Sequence, residues 1–222
     1  NTQPENLAFV ERIRRLLDAY PGTAALGEIS SEESFVTMAE YVGEGRLHMA
    51  YSFELLTEQF SAAHIRDTVE ALERQMPRGW PCWTTSNHDV ARVLSRWGGS
   101  HGSPRLATLL SAMVCSLRGS VCVYQGEELG LPEADLPFDA LRDPFGIAFW
   151  PNFKGRDGSR TPMPWRDSPD GGFSTAAPWL PIPPEHLPRA VSLQDPDPAS
   201  PLNGLRRFLR WRRDQPALRW GE

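Results

Sequence analysis

Lysine is almost missing. Lys154 is the only one, and all other formal positive charge is arginine. That skew implies no mechanism by itself. Cysteine is scarce and odd in number: Cys82, Cys115 and Cys122 lie in apolar segments and read as reduced core residues in a cytoplasmic-type compartment. No apolar run reaches the roughly 18 residues a membrane helix needs, and the N-terminus carries no signal-peptide apolar region. The expectation is a cytoplasmic protein with no membrane partner. No basic run appears in the first 200 residues, and a net charge of -5 argues against a nucleic-acid partner. What remains is ordinary globular composition over 222 residues, 40% hydrophobic and 23% charged.

Apolar segments alternate with helical periodicity along the chain. "NTQPENLAFVERIRRLLDAY" places Thr2 and Glu5 at capping-box spacing, then Phe9, Ile13, Leu16 and Leu17 on one helical face. A short apolar run ends at Glu28, and "RLHMAYSFEL" reads as a second strand. "SAAHIRDTVEALERQM" is an amphipathic helix through Ile65, Val69, Leu72 and Met76, stopped by Pro77. "WPCWTTSNHD" and "SVCVYQGEELG" read as third and fourth strands. Between them, a helix has Ser103 as its N-cap, Pro104 at its first position and Gly119 past its end. A last helix follows from residue 201 and stops at Pro216, its core stripe carried by Leu202, Leu205, Phe208 and Leu209. Strands alternating with helices predict an α/β fold with a parallel sheet. Four such units leave sheet edges and an inner face uncovered, so the pattern reads as half of a larger architecture. Residues 132 to 201 hold 15 of the 21 prolines and many aromatics, which predicts a long ordered loop.

Polar residues cluster where strands should end: Glu28 on the first, Asn87-His88-Asp89 on the third, and Gln125, Glu127 and Glu128 after the fourth. In a (β/α)8 barrel such positions face the active-site mouth. Carboxylates converging there suit glycosidic-bond cleavage, which needs a protonated acid, an ionised nucleophile and support for an oxocarbenium-like transition state. On spacing alone, Asp89 reads equally well as a helix cap and Glu28 as a turn carboxylate after Gly27.

Four segments then carry a resemblance. "AALGEIS", "WTTSNHDVARV", "SVCVYQGEELGL" and "GRDGSRTPMPW", in this order, resemble motifs of the alpha-amylase family of glycoside hydrolases (family 13), closest to its α-glucosidase/oligo-1,6-glucosidase branch. The resemblance implies a (β/α)8 TIM barrel of which this chain is the second half, strands five to eight. Residues 1–131 would be βα units, 132–200 a long Pro-rich active-site loop after the last strand, and 201–222 the last barrel helix. It also implies a retaining α-glucosidase or α-glucosyl-transferring enzyme acting on the non-reducing-end glucose of short α-glucosides. Glu28 would be the general acid/base and Asp89 the transition-state stabiliser. His88 and Arg156 would bind substrate, and Arg156 would make the action exo. Arg160 reads as structural, Glu127 and Glu128 as supporting residues, and Asn87 as a brace for the turn. Tyr51, Phe53 and Phe149 are candidates for walls of an acceptor site.

The family's nucleophile belongs to a "GFRxD"-type segment on the fourth barrel strand, which would precede the helix that opens this chain. These residues therefore supply half a site and are expected to be inactive alone. No cofactor or metal site is expected in this chain; a Ca or Mg ion, if one is used, is expected in the missing N-terminal half. Expected partners are that half, maltose-like α-glucosides, oligosaccharides or sucrose, and alcohol or sugar acceptors. The alternative is a non-catalytic amylase-like binding domain of a degenerate or transporter-partner kind. Such a domain would have lost the acid/base or the third carboxylate, whereas Glu28 and Asp89 are both present. A metal hydrolase would draw an HxH pair from a strand, and none is present. The arginines from Arg206 to Arg213, with Arg219, sit beside an apolar stripe and read as a solvated face rather than a nucleic-acid surface.

Overall fold

The computed structural model describes residues 3–220. Contacts divide these into two units, the chain to Thr84 with Leu117–Cys122 and Trp220, and Thr85–Ser116 with Val123–Arg219.

The first unit is built by its backbone. Helix α1 (Pro4–Leu17) precedes strand β1 (Leu26–Ile29), helix α2 (Ser34–Tyr41), strand β2 (Met49–Ser52) and helix α3 (Ala62–Gln75). Strands β3 (Cys82–Trp83) and β4 (Ser120–Val121) complete the unit. Every pairing is parallel: Glu28 stands opposite Tyr51, and Cys82 opposite Ser120. An isolated bridge between Ala50 and Pro81 links the two pairs, giving the order β1-β2-β3-β4. Pro81 has no N–H to give, and contributes its carbonyl instead, which accepts from Ser120 at 2.9 Å. That approach requires Gly119, at φ 120°, since a Cβ there would lie 2.5 Å from the Pro81 carbonyl oxygen. Met38, Ala50, Leu72 and Met76 are buried within this unit.

The caps explain the helix ends. Ser61 Oγ accepts from His64 N–H at 3.1 Å to start α3, which finishes at Gln75 ahead of Pro77, as its sequence predicts. Two expectations are corrected. In α1 the buried residue is Val10, while Phe9 and Leu16 are exposed, so the inward face is not the Phe9/Leu16 stripe. Thr2, the expected cap of that helix, lies outside the described residues. Helix α2 has no counterpart in the sequence reading, because Ser34, Val36 and Thr37 carry weak helix propensity and tertiary burial of Phe35, Met38 and Tyr41 overrides it.

The second unit is built by side chains. Helices α4 (Val93–Gly98) and α5 (Pro104–Val114) are followed, beyond a long irregular stretch, by α6 (Pro144–Phe149) and α7 (Val191–Gln194). Helices α8 (Pro201–Arg213) and α9 (Pro216–Trp220) end the described chain. Ser103 and Ser200 cap α5 and α8 through their hydroxyls, each with proline at the first helical turn. Helix α8 breaks at Asp214, and Pro216 opens a new turn rather than merely closing the old one. Leu202 and Leu205 are buried, but Leu209 is exposed, so the core stripe of α8 is shorter than expected. Arg207, Arg210 and Arg213 are exposed, as a solvated face requires, while Arg206 pairs with Asp195 and Arg212 Nε donates to the Cys115 carbonyl. The irregular stretch is ordered by two apolar clusters. Ala134, Leu136, Leu141 and Leu180 form one, and Leu129, Leu131 and Leu202 the other.

Candidate active site

After β3 the chain turns through Thr85–Asp89, and its own side chains shape the turn. Asn87 is buried, and its Oδ1 accepts from the N–H groups of Asp89 (2.9 Å) and Val90 (3.2 Å). Ser86 Oγ accepts from Val93 N–H at 2.9 Å, satisfying the start of α4. Asp89 therefore caps no helix, and its carboxylate points to other partners.

Three cationic or imidazole groups approach a single oxygen, Asp89 Oδ1. Arg156 Nη1 donates at 3.1 Å and Arg160 Nη2 at 3.0 Å, while His88 Nε2 lies 3.6 Å away. Among the described residues Oδ2 has no protein donor. Arg156 is itself clamped. Its Nε and Nη2 form a two-pronged pair with Asp143 at 2.9 and 2.8 Å, and its backbone N–H donates to Asp143 Oδ2 at 2.8 Å. The Phe145 ring lies 5.2 Å from the Arg156 Cζ, and its N–H is capped by Asp143 Oδ1. The hydrogen bonds from Arg156 hold the Asp143 carboxyl well below the usual carboxylate range despite its burial, and the same pair raises the Arg156 pKa. Of the five guanidinium N–H groups of Arg156, these bonds occupy one on each nitrogen, so two remain for a ligand.

The backbone under this cluster is also fixed from within. Asp157, fully buried, accepts from the N–H groups of Arg142 (2.6 Å) and Asp143 (2.7 Å). Arg92, 1% exposed, reaches the carbonyls of Gln125 and Ser159. Burial lowers the Arg92 pKa, opposed chiefly by Glu133. Tyr124 Oη donates to the Ser159 carbonyl at 3.0 Å. Glu127 accepts from Thr85 Oγ1 (2.9 Å) and from Tyr124 N–H (2.8 Å), and Glu128 from Gly126 N–H (2.8 Å). Burial pushes both carboxyls up, and neither joins the Asp89 cluster, in keeping with a supporting role.

Glu28, in the first unit, is a different kind of carboxylate. It is an exposed residue one position before the end of β1, and among the described residues it makes no ion pair or side-chain hydrogen bond. Tyr51 opposite it is buried, with the Phe53 ring 6.4 Å away. Phe149 is exposed at the end of α6, stacked on Phe145 at 6.4 Å. Among the described residues, no group of three or more His, Cys, Asp or Glu side chains is arranged to hold a metal ion.

The alpha amylase catalytic domain family matches residues 1–221. The chain belongs to that family. A probable alpha-glucosidase of Rhizobium meliloti is 49% identical over 99% of the chain. An alpha-glucosyl transfer enzyme of known crystal structure is 60% identical over 98% of it, with a TM-score of 0.94. A maltase, Maltase A1 of Drosophila melanogaster, is 28% identical over 99% of the chain. The chain spans about two fifths of these relatives, 41%, 41% and 40% of their lengths. Members of the family are (β/α)8 barrels, and the four parallel strands here are a fragment of that architecture.

Of the residues singled out from the family's motifs, the structure brings His88, Asp89 and Arg156 together in one unit. It adds three that sequence reasoning missed or underweighted: Arg160, Asp143 and Asp157. Arg160 was visible in "GRDGSRTPMPW" but read as structural; Asp143 and Asp157 carried no signal of their role.

Proposed function

We propose that this chain is the acid/base and sugar-gripping part of a retaining enzyme that hydrolyses short α-glucosides or transfers their non-reducing-end glucose. The observation that carries the reading is the 3.1 Å contact between Arg156 and Asp89, with Arg156 locked by Asp143 and two of its N–H groups spare. A guanidinium and a carboxylate side by side offer donors and an acceptor to adjacent hydroxyls of one sugar, which suits the closed end of a pocket. Asp89 Oδ2 accepts from ring hydroxyls whose hydrogens become more acidic as positive charge develops on the ring. His88, more than half exposed at its side chain, donates to the same ring.

Glu28 is the proposed proton carrier. It protonates the departing glycosidic oxygen as the bond to the anomeric carbon breaks. It then takes a proton from the water or hydroxyl acceptor that attacks the glucosyl intermediate. That intermediate forms on a nucleophile outside these residues. The names of the relatives, an alpha-glucosidase and an alpha-glucosyl transfer enzyme, support both outcomes of the second step. The proposed acceptors are water, sugars and alcohols.

No helix among the described residues is long and apolar enough to cross a membrane. Cys82, Cys115 and Cys122 form no disulfide, and burial pushes the Cys82 thiol up to about 12 and the Cys115 thiol to about 11; on this absence of disulfides we propose the cytoplasm as the compartment. Turnover of maltose, isomaltose and sucrose by the complete protein tests the function. Release of glucose from at least one, lowered about 10²–10³-fold by Asp89→Asn, supports it; binding without turnover would leave a carbohydrate-binding domain instead.

A further inference from the structure

Arg160 is the cluster member with no assigned purpose. Its guanidinium spans two atoms of the strand-end turn. Nε donates to the His88 carbonyl at 2.7 Å, and Nη2 to Asp89 Oδ1 at 3.0 Å. One planar group therefore fixes both the peptide that leads into Asp89 and the carboxylate itself. Asn87 Oδ1 fixes the peptide on the other side by accepting from Asp89 N–H.

Arg160 is a rigid place from which to do this. Its backbone N–H donates to the Asp157 carbonyl at 3.0 Å. The carbonyl just before it, that of Ser159, receives Arg92 Nη2 (2.9 Å), Tyr124 Oη (3.0 Å) and Gln125 Nε2 (3.3 Å). Three donors on one carbonyl leave the Arg160 backbone little freedom. Both guanidiniums, Arg156 and Arg160, reach Oδ1 and neither takes Oδ2. A carboxylate held by one oxygen from two directions presents the other in a set orientation. Arg156 is oriented by Asp143 and meets Asp89 through one N–H only; Arg160 is oriented by the turn itself, through the His88 carbonyl and Asp89 Oδ1.

Resting on the function proposed above, we propose that Arg160 is a positioning residue. It acts through Asp89 by fixing the direction of Oδ2, and without contributing its own bond to the sugar. Lysine keeps the charge, but a single ammonium cannot span the His88 carbonyl and Asp89 Oδ1 with the planar geometry of arginine.

The test uses the complete protein and an aryl α-glucoside, with kcat and KM measured for wild type, Arg160→Lys, Asp89→Asn and the double variant. Misplacing Oδ2 while leaving the sugar grip intact lowers kcat of Arg160→Lys by about 10²-fold, the order expected for a small displacement of a catalytic group, with KM near wild type. In the Asp89→Asn background the same substitution is expected to change kcat hardly at all, because the group it positions is gone. Unchanged kcat in Arg160→Lys overturns the proposal, as does an equal loss with and without the Asp89 carboxylate. A rise confined to KM would also overturn it, making Arg160 a direct sugar contact. Failure of Arg160→Lys to fold, seen as loss of a cooperative melting transition, would assign it a purely structural role. If wild type is inactive, or Asp89→Asn matches it, the underlying function fails and the inference falls with it. That outcome is distinguishable because it does not involve Arg160.

Discussion

The two units solve the problem of placing a carboxylate in opposite ways. In the first, Glu28 is held by strand register alone: β1 is paired in parallel to β2, and no side chain among the described residues binds its carboxylate. In the second, Asp89 stands after the end of a two-residue strand, and side chains hold it from Asn87, Arg156 and Arg160. Glycoside cleavage by retention asks for this division, a carboxyl that carries and gives up a proton and another group that supports charge on the ring. On the proposed function, a cation beside Glu28 would oppose proton transfer, while the cations beside Asp89 would aim its carboxylate.

The largest expected effect tests the bare carboxylate. Glu28→Gln in the complete protein should cost about 10²–10⁴-fold on maltose, where the departing oxygen needs a proton. Formation of the glucosyl intermediate from a substrate with a good leaving group should survive largely intact. Equal losses on both substrates would remove Glu28 from proton transfer and collapse the contrast between the units.

Asp89→Asn should show the complementary pattern. The loss, about 10²–10³-fold as for removing a preorganised electrostatic contact, should be the same for good and poor leaving groups. A loss that tracks leaving-group ability would instead make Asp89 the acid.

Acid sensitivity should separate the units as well. His186 in the second unit is fully buried, its Nε2 donating to the Pro132 carbonyl at 2.9 Å, and burial pulls its pKa down to about 4. The folded state thus keeps His186 neutral where the unfolded chain, near the ordinary 6.5, takes up a proton. The stability this contributes is complete above about pH 6.5 and is lost as pH falls towards about 4, on the order of 3 kcal/mol. Glu127, Glu128 and Glu133, raised by burial, act with the opposite sign, so the effect is read as a difference. Melting of His186→Gln should depend less steeply on pH between about 4 and 6.5 than melting of wild type. Parallel curves would show that the histidine is not the acid-sensitive group.

A smaller effect is expected for Arg156→Ala, about 1.5–3 kcal/mol per charge-assisted bond to the sugar, appearing in kcat/KM for short oligosaccharides. Its fold should survive, although Asp143 loses its partner; a collapsed melting midpoint would mean that the pair serves the fold first. The smallest is Ser61→Ala, which removes the cap of α3 in the backbone-built unit. It should cost about 1 kcal/mol of stability and nothing in turnover. A turnover defect would tie that helix to the site.

The same contrast governs how much could be read beforehand. Local signals marked helix ends in both units: Pro77 stops α3 in the first, and Ser103 with Pro104 starts α5 in the second. They failed for α2, where burial rather than propensity decides, and for the inward face of α1, where Val10 and not Phe9 is buried. In the second unit nothing periodic announces the network. Asp143 meets Arg156 across 13 residues and Asp89 meets Arg156 across 67. Motif resemblance drew attention to Arg156 and Asp89, but only side-chain geometry shows that Arg160 grips the same oxygen and that Asp143 locks the grip. Asp157 reads in sequence as one more loop carboxylate; its role in holding two backbone N–H groups appears only once the loop is folded.

On the proposed function, Asp89 and Arg156 together hold the terminal glucose. A crystal structure of the complete protein with glucose bound tests it most directly. A sugar hydroxyl is expected within hydrogen-bond distance, about 2.7–3.2 Å, of Asp89 Oδ2 and another within the same reach of an Arg156 Nη. Glucose bound elsewhere, with the Asp89–Arg156 pair untouched by it, would show that the pair does not grip the sugar.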